Sequence, residues 1–596
     1  MNSSRFAAPL GALLLLAGSM PGAVPAKRRT RAVSVTPATS YKRTAARWMR
    51  GMSVRDQVAQ LVAIPFSGRP LNTRSKAYRD FVRLVARDHV GGMILVNVSQ
   101  GRLVQKAEPL DVAAFLNKMQ RLAKVPLIVS ADLERGASMR LNASTVFPHA
   151  MAFAAARDPA AVRTEGVVTA REARAVGIHW VFYPVADVNN NPDNPIINIR
   201  SFGENPDEVS TYVDAFIEGA HADTKNLVLT TAKHFPGHGD TSTDSHMNMA
   251  TITADRERLN RLEFVPFRAA IEHGVDSVMT AHISVPALDD SGLPATLSPK
   301  IINGVLREEL GFKGIVVTDA LEMGGIAKKF AAGEAAVRAI QAGADVLLIP
   351  PDPHAAIEAV TAAVHSGKIS RKRLEQSVMR VLVAKARLGL ASRSIVNLEQ
   401  VNEILNAPEA NAQAQAVADH AVTLIKNEGA LVPLRDPAKT CFLLLTESRT
   451  SPEGQAFAAE VHKRAPAAHV AILDSSMSSE DLAQSEQQNA GCEETVVGAF
   501  VSVAAYRGDV ALGGNFPSLM ERLISSHKPL ALISLGNPYL LRNFSGVGAY
   551  LTTYSTVPPS EVAAVKALFG EIPMTGRLPV TIPGTAKYGD GLGAAP

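Results

Sequence analysis

From about residue 58 the chain repeats one pattern. A short, almost unbroken run of apolar and β-branched residues is followed by a polar or glycine-rich turn and then by a longer stretch of helical periodicity. The runs are LVAIPF (61–66), GMILV (92–96), PLIVSAD (126–132), WVFYPVAD (180–187), VLTTAKHF (228–235), SVMTAHI (277–283), GIVVTDA (314–320) and DVLLIP (345–350). DVAAFLNKMQRLA and RLNRLEFVPFRAAIEHG are typical of the helical segments between them. In LSPKIINGVLREELG, Ser298 is placed to cap a helix, Pro299 suits its first position and Gly311 its end. Strands that are apolar throughout, alternating with helices, predict a parallel sheet covered on both faces. The eightfold count favours a (β/α)8 TIM-type barrel over an open sheet.

The helical stretch SRKRLEQSVMRVLVAKARLGL closes this unit near residue 390, so the barrel is expected over 46–390. A polar connector rich in Asn, Ala and Gln is read as a linker over 391–415. From 416 to 596 a second rhythm follows, with CFLLLT, HVAILDS, TVVGAFV, PLALISLG and AYLTTYS, ending in GRLPVTIPG. It predicts a doubly wound α/β sandwich domain. Neither a P-loop nor a convincing dinucleotide fingerprint is present, and GHGDTS leads into a loop, so nucleotide binding is not indicated.

In a parallel barrel the reactive groups lie where strands end. Those ends carry Asp132, Asp187, Lys233 with His234, His282 and Asp319. Ionisable groups at five buried strand ends are costly unless paired or used. The bland reading makes them helix caps and isolated strand-end carboxylates; their shared end of the barrel favours a polar pocket. After the fifth run the chain reads KHFPGHGDTSTDSH (233–246). Three readings compete for it. A metal site lacks the compact ligand spacings, because His234, His238 and His246 lie in a segment that Pro and Gly keep out of a helix. A solvated polar loop is the second. The third is acid–base chemistry by Asp244 and His246, two residues apart, with the carboxylate holding the imidazole so that it donates a proton near neutrality. Asp319, flanked by Thr318 and Ala320, is the carboxylate to set against that donor.

Composition refines this picture. The chain has 596 residues, 46% hydrophobic and 20% charged, which is globular and long enough for at least two domains. Its net charge of +5 arises entirely before residue 32, from Arg5, Lys27, Arg28, Arg29 and Arg31. The body is therefore neutral, and no nucleic-acid surface is expected. Residues 1–26, with one Arg, an apolar run too short for a comfortable span and V-P-A before a cut after Ala26, resemble a secretory signal. Residues 27–45 read as a basic linker. An exported protein, periplasmic or secreted, without stable membrane insertion is expected. The two cysteines, Cys441 and Cys492, can pair in such a protein but do not make a disulfide scaffold.

KHFPGHGDTSTDSH, with VVTDALEM, NIRSFG (198–203), ADLERGASMRL and TGRLPVTIPG, resembles glycoside hydrolase family 3 from about residue 45 onward. More narrowly, it is similar to the NagZ-like β-N-acetylhexosaminidase branch in its two-domain form. The resemblance implies Asp319 as nucleophile and the Asp244–His246 dyad as acid/base. It implies Asp132, Arg140, Arg200, Lys233 and His234 as ligands of the non-reducing sugar, in place of the structural ion pairs that such arginines otherwise make. It implies neither cofactor nor metal. His238 and Asp240 are expected to shape the loop, and His282 to stand behind the reacting groups. Where relatives commonly read D-x-E-G-G-R, Arg135 replaces a glycine and alters the pocket wall.

The expected activity is that of a retaining exo-β-N-acetylglucosaminidase acting on N-acetylglucosamine-containing glycans of peptidoglycan or chitin type. Rivals are a β-glucosidase or xylosidase taking its acid from Glu493 or Glu494 in the second domain, phosphorolysis, and a glycan-binding protein without turnover. Oligomeric state is left open.

Overall fold

The computed structural model describes residues 37–593, apart from 101–102, 489–490 and 504–505. The expected signal at 1–26 and the first part of the basic linker lie outside the described residues. All eight apolar runs contain strands: β1 Val62–Phe66, β2 Gly92–Leu95, β3 Ile128–Ala131, β4 Trp180–Val181, β5 Thr231–Phe235, β6 Ser277–Thr280, β7 Ile315–Thr318 and β8 Leu347–Leu348. They pair in parallel as two arcs, β8-β1-β2-β3-β4 and β5-β6-β7. Parallel bridges Trp180↔Leu229 and Val185↔Lys233 join β4 to β5, and Val317↔Val346 joins β7 to β8. The ring therefore closes into a (β/α)8 barrel. β4 is shorter than its apolar run because Pro184 has no amide hydrogen for the ladder.

Helices cover the ring between successive strands, among them Lys76–Ala86, Pro109–Leu122, Pro159–Ala175, Pro206–His221 and Ala332–Ala342. The punctuated helix forms over Lys300–Glu309, in wide π-type turns. Ser298 Oγ accepts the amide of Ile301 at 3.2 Å, and Gly311 leaves the helix at φ +70°.

The second domain is a six-stranded sheet of β9 Thr423–Asn427, β10 Thr440–Thr446, β11 His469–Asp474, β12 Glu494–Val501, β13 Leu530–Gly536 and β14 Ala549–Thr552. Its order is β9-β14-β13-β12-β10-β11, parallel except for β9, which runs against β14. Side-chain alternation gives the sheet two apolar faces. Leu443, Leu445, Val497 and Leu532 share a core with Met151, Ala152 and Ala155 of the barrel. Phe442, Leu444, Val496 and Ile533 pack on Phe457, Val461, Ala563 and Leu568. Cys441 and Cys492 form a disulfide at the N-terminal ends of β10 and β12.

Three spans differ from the reading of the sequence. Pro37–Met49, within or beside the expected basic linker, is a helix with Ala45 fully buried, packed on helix Arg371–Arg387. The expected linker end at 415 falls inside helix Pro408–Ala421, which packs on both Ala150–Ala156 of the barrel and Pro558–Leu568 of the second domain. The closing GRLPVTIPG is irregular. It returns to the barrel, where the amide and hydroxyl of Thr581 each donate to Glu204 at 2.6 Å and the Glu204 amide donates to Pro579 O at 3.0 Å. Among the described residues no helix is long and apolar enough to cross a membrane.

Candidate active site

Asp132 follows β3 directly, Lys233 and His234 end β5, and Asp319 follows β7, so the chain places these groups at one mouth of the barrel. Lys233 Nζ donates to Asp132 Oδ1 at 2.9 Å and meets Glu134 Oε1 at 2.6 Å. Arg140 reaches Asp132 Oδ2 at 2.8 Å. Arg200 grips Glu134 through two parallel bonds of 2.8 Å, and its NH2 lies 3.5 Å from His234 Nε2. The five expected sugar ligands are thus one connected cluster.

Glu134 is the member that went unassigned, although its signal lay in the D-x-E spacing. In extended chain, residues two apart point the same way. Its side chain is almost wholly buried between Lys233 and Arg200. Burial alone raises its carboxyl, but these two cations outweigh that and hold it well below the usual range. The same contest brings the Asp132 carboxyl down to about 2, with Lys233 and Arg140 as the opposing charges.

Asp187 anchors rather than opens the pocket. Fully buried, it accepts the amides of His234 and His238 at 3.0 and 2.7 Å and bonds His234 Nδ1 at 2.7 Å. The peptide bonds Lys233–His234 and Phe235–Pro236 are cis. Beyond them the loop presses on the barrel, and a Cβ added at Gly239 would fall 1.7 Å from Val188 O. His238 bonds Thr241 Oγ1 and Ser245 Oγ, both at 2.9 Å, and burial takes its imidazole down to about 4. Asp240 pairs with Arg258 at 2.7 Å. Both therefore hold the loop in shape, as expected of them.

The loop presents His246, a quarter exposed, above a buried Asp244. Asp244 Oδ1 bonds Nδ1 of His246 at 2.8 Å and accepts its amide at 2.8 Å, while Oδ2 accepts the amide of Tyr506 from the second domain at 2.8 Å. Burial opposes the Asp244 carboxylate, but these bonds keep its pKa below the ordinary value. The ring of Tyr506 stands 5.3 Å from that of His246.

Asp319 is bonded through Oδ1 to the Ala320 amide at 2.8 Å. Burial favours its neutral form, yet the imidazoles of His282, His234 and His246, with that amide, hold it below the usual carboxylate range. It is thus kept as an anion facing the His246 loop. His282 stands behind it, with Nε2 donating to Ala320 O at 2.9 Å and Nδ1 facing Thr296 Oγ1 at 2.8 Å. Among the described residues no group of three or more His, Cys, Asp and Glu is disposed to hold a metal ion.

The rival acids lie elsewhere. Glu493 pairs with Lys439 at 3.0 Å just ahead of β12, and Glu494 begins that strand. The far end of β12 leads toward Tyr506, and eight strand residues span about 25 Å. Arg135, in the glycine's place, lies where the charges of Glu134 beside it and Glu453 of the second domain both reach it.

Neighbouring sugar hydroxyls complement such a set of fixed donors and acceptors, and a carboxylate facing a proton donor is the means of cleaving a glycosidic bond. The class so defined is the glycoside hydrolases. Residues 53–384 match the glycosyl hydrolase family 3 N-terminal domain. The chain is 30% identical to the β-N-acetylglucosaminidase/β-glucosidase of Cellulomonas fimi over 83% of its length and 88% of that protein's. It is 33% identical to β-hexosaminidase A of Pseudoalteromonas piscicida, over 61% of this chain and 64% of the relative. The solved structure of a glycoside hydrolase family 3 β-N-acetylglucosaminidase from Paenibacillus sp. superposes with a TM-score of 0.79 at 33% identity, covering 89% of this chain and 99% of that one. The chain belongs to glycoside hydrolase family 3.

Proposed function

We propose that the protein is a retaining exo-β-N-acetylglucosaminidase. Asp319 attacks the anomeric carbon while His246, protonated on Nε2, hands its proton to the departing oxygen. This leaves a glycosyl ester on Asp319. Neutral His246 then takes a proton from water, whose oxygen displaces the ester, and the carboxylate is restored. The observation that carries the reading is the bond between His246 Nδ1 and Asp244 Oδ1. It fixes the proton to be exchanged on Nε2, on a loop facing an ionised Asp319.

In this reading Asp132, Arg140, Arg200, Lys233 and His234, with Glu134, orient the non-reducing sugar. The acetamido preference is supported by relatives named β-hexosaminidase and β-N-acetylglucosaminidase; the Cellulomonas fimi relative is named for both N-acetylglucosaminidase and β-glucosidase activity. Glycans of peptidoglycan or chitin type are the substrates it fits. Export to a periplasm or the medium is supported by the Cys441–Cys492 disulfide, a bond that persists in oxidising compartments.

The test is hydrolysis of an aryl β-N-acetylglucosaminide against an aryl β-glucoside by the protein and by Asp319→Ala and His246→Ala. Preference for the acetamido sugar, lost in both variants, is expected. Preference for the glucoside with His246→Ala unimpaired overturns the reading and moves the acid elsewhere.

A further inference from the structure

We propose that the N-terminal face of the barrel, opposite the catalytic groups, carries a binding site for a small divalent oxyanion, with inorganic phosphate as the ligand it fits. Asp319 follows β7, whereas Gly314 and Asp345 precede β7 and β8, and parallel strands put all such N-terminal ends on one face. A cavity of about 270 Å³ opens there between helices Lys300–Glu309 and Arg371–Arg387.

Three guanidiniums and an ammonium line it. Arg373, Gln376 and Arg380, three and four residues apart, share one face of helix Arg371–Arg387. Arg307 comes from the other helix and Lys313 from the turn after it. One buried carboxylate ties the arginines together. Asp345 accepts Arg307 NH2 at 2.6 Å, the Val316 amide at 3.0 Å, Arg380 NH1 at 3.0 Å and Arg373 NH1 at 3.3 Å, with the Ser377 hydroxyl besides. A carboxylate offers about four lone-pair sites, so Asp345 is saturated, and its single charge is set against three. Glu308, the acid on the cavity wall, is exposed and pairs with none of these cations among the described residues.

Donors are left over. Arg307 spends NH1 on the carbonyls of Phe312 and Gly314, at 3.1 and 2.7 Å, and Arg373 spends NH2 on Ala344 O at 2.7 Å. Arg380, its side chain 31% exposed, uses NH1 alone. Among the described residues its Nε and NH2, the Lys313 ammonium and the Gln376 amide meet no acceptor. Guanidiniums so placed repel one another. Burial brings the Arg307 pKa down to about 10; Asp345 opposes that, and the charges of Arg380 and Arg373 add to it. An anion in the cavity relieves the repulsion and accepts charge-assisted bonds from the free donors. The wall is closely packed on its far side: Gly343 turns at φ +122°, and a Cβ added there would lie 2.5 Å from Asn303 Oδ1. Sites for organic ligands run to roughly 300–1,000 Å³, so this smaller cavity suits an inorganic oxyanion with a few waters.

The test is calorimetric titration of the full chain with phosphate, beside chloride at equal ionic strength, followed by thermal melts. Saturable one-to-one binding is expected, with the melting temperature raised by about 4 °C at a hundredfold excess over Kd. Arg380→Gln should weaken binding about tenfold and Lys313→Gln about threefold. Lys313 contacts no buried carboxylate, so its variant keeps the test valid should Arg380→Gln fail to fold. Phosphate that binds both variants as tightly as the parent sits elsewhere, the catalytic mouth included, and overturns the site. Absence of saturable heat overturns it too, as does a response that chloride reproduces, which is screening alone.

Discussion

The amide of Gly324 donates to the carbonyl oxygen of His246 at 3.0 Å, which fastens the loop bearing the imidazole to the loop that starts at Asp319. Lys328 adds a bond from Nζ to Met247 O at 2.7 Å. The two groups proposed to act on one bond are thus locked to each other directly and not only through the barrel. A Cβ at position 324 would lie 2.6 Å from Met247 O and 2.8 Å from His246 O. Gly324→Ala is therefore expected to displace the dyad and lower kcat about 100-fold, with a loss of about 1–3 kcal/mol in stability. Steady-state kinetics and thermal melts of the variant check both. Wild-type kinetics would show that the two loops move independently.

His246→Ala is expected to lower kcat/KM about 10²–10⁴-fold on a leaving group that needs a proton and far less on dinitrophenyl, which does not. In the proposed mechanism the step measured by kcat/KM needs an ionised Asp319 and a protonated His246. Because the Asp319 carboxyl is held below its usual range, the acid limb should fall below about pH 4. The alkaline limb should follow loss of the imidazolium. A rate that climbs across the imidazole range without an alkaline limb would remove His246 from the role.

Glu134→Gln takes one charge from the buried set it shares with Lys233 and Arg200. Removing one partner of such a set costs about 3 kcal/mol, because the cations that remain are desolvated and unpaired. Urea unfolding should register that loss, and KM should rise as Arg200 and Lys233 lose their anchor. A variant with unchanged midpoint and unchanged KM would mean the cluster is far wetter than its burial indicates.

Glu165 lies wholly buried in helix Pro159–Ala175, and neither carboxyl oxygen has a hydrogen-bond partner among the described residues. Burial pushes its pKa well above the ordinary value. The folded state therefore keeps the proton while the unfolded chain gives it up as pH rises through the normal carboxylate range. Stability from this group is full below about pH 4 and falls by about 1.4 kcal/mol per pH unit above it. Glu165→Gln should abolish that slope, so its melting temperature should gain on the parent between pH 5 and 7. A parallel offset at all pH values would contradict the assignment.

The disulfide closes a separation of 51 residues at the end of the second sheet remote from the active site. Cys441→Ser with Cys492→Ser should cost roughly 4 kcal/mol of second-domain stability, chiefly by freeing the unfolded chain. Differential scanning calorimetry with and without reductant measures it. Melts that coincide would mean the bond adds nothing to the fold.

The barrel strands were legible because a parallel strand buried on both faces must be apolar nearly throughout, so a lone Asp or Lys at its end stands out. Asp132, Lys233 and Asp319 were readable for that reason, and Asp244 with His246 because they are only two residues apart. β9 was not readable, since TLIKN is short and half polar and becomes a strand only against β14. Helix Pro37–Met49 carries so much positive charge that its buried stripe was hidden.

Residue types, strand ends and local spacing are properties of the chain itself, and they determined the fold class and which groups are the candidates for the reaction. Pairing across distance is not. The bond from Lys233 to Asp132 spans 101 residues and that from Tyr506 to Asp244 spans 262. What joins them is barrel closure and domain docking, which depend on side-chain packing over whole surfaces. No local pattern encodes that packing, so only the tertiary structure decided that Glu134 completes the cation cluster and that a second domain reaches the dyad.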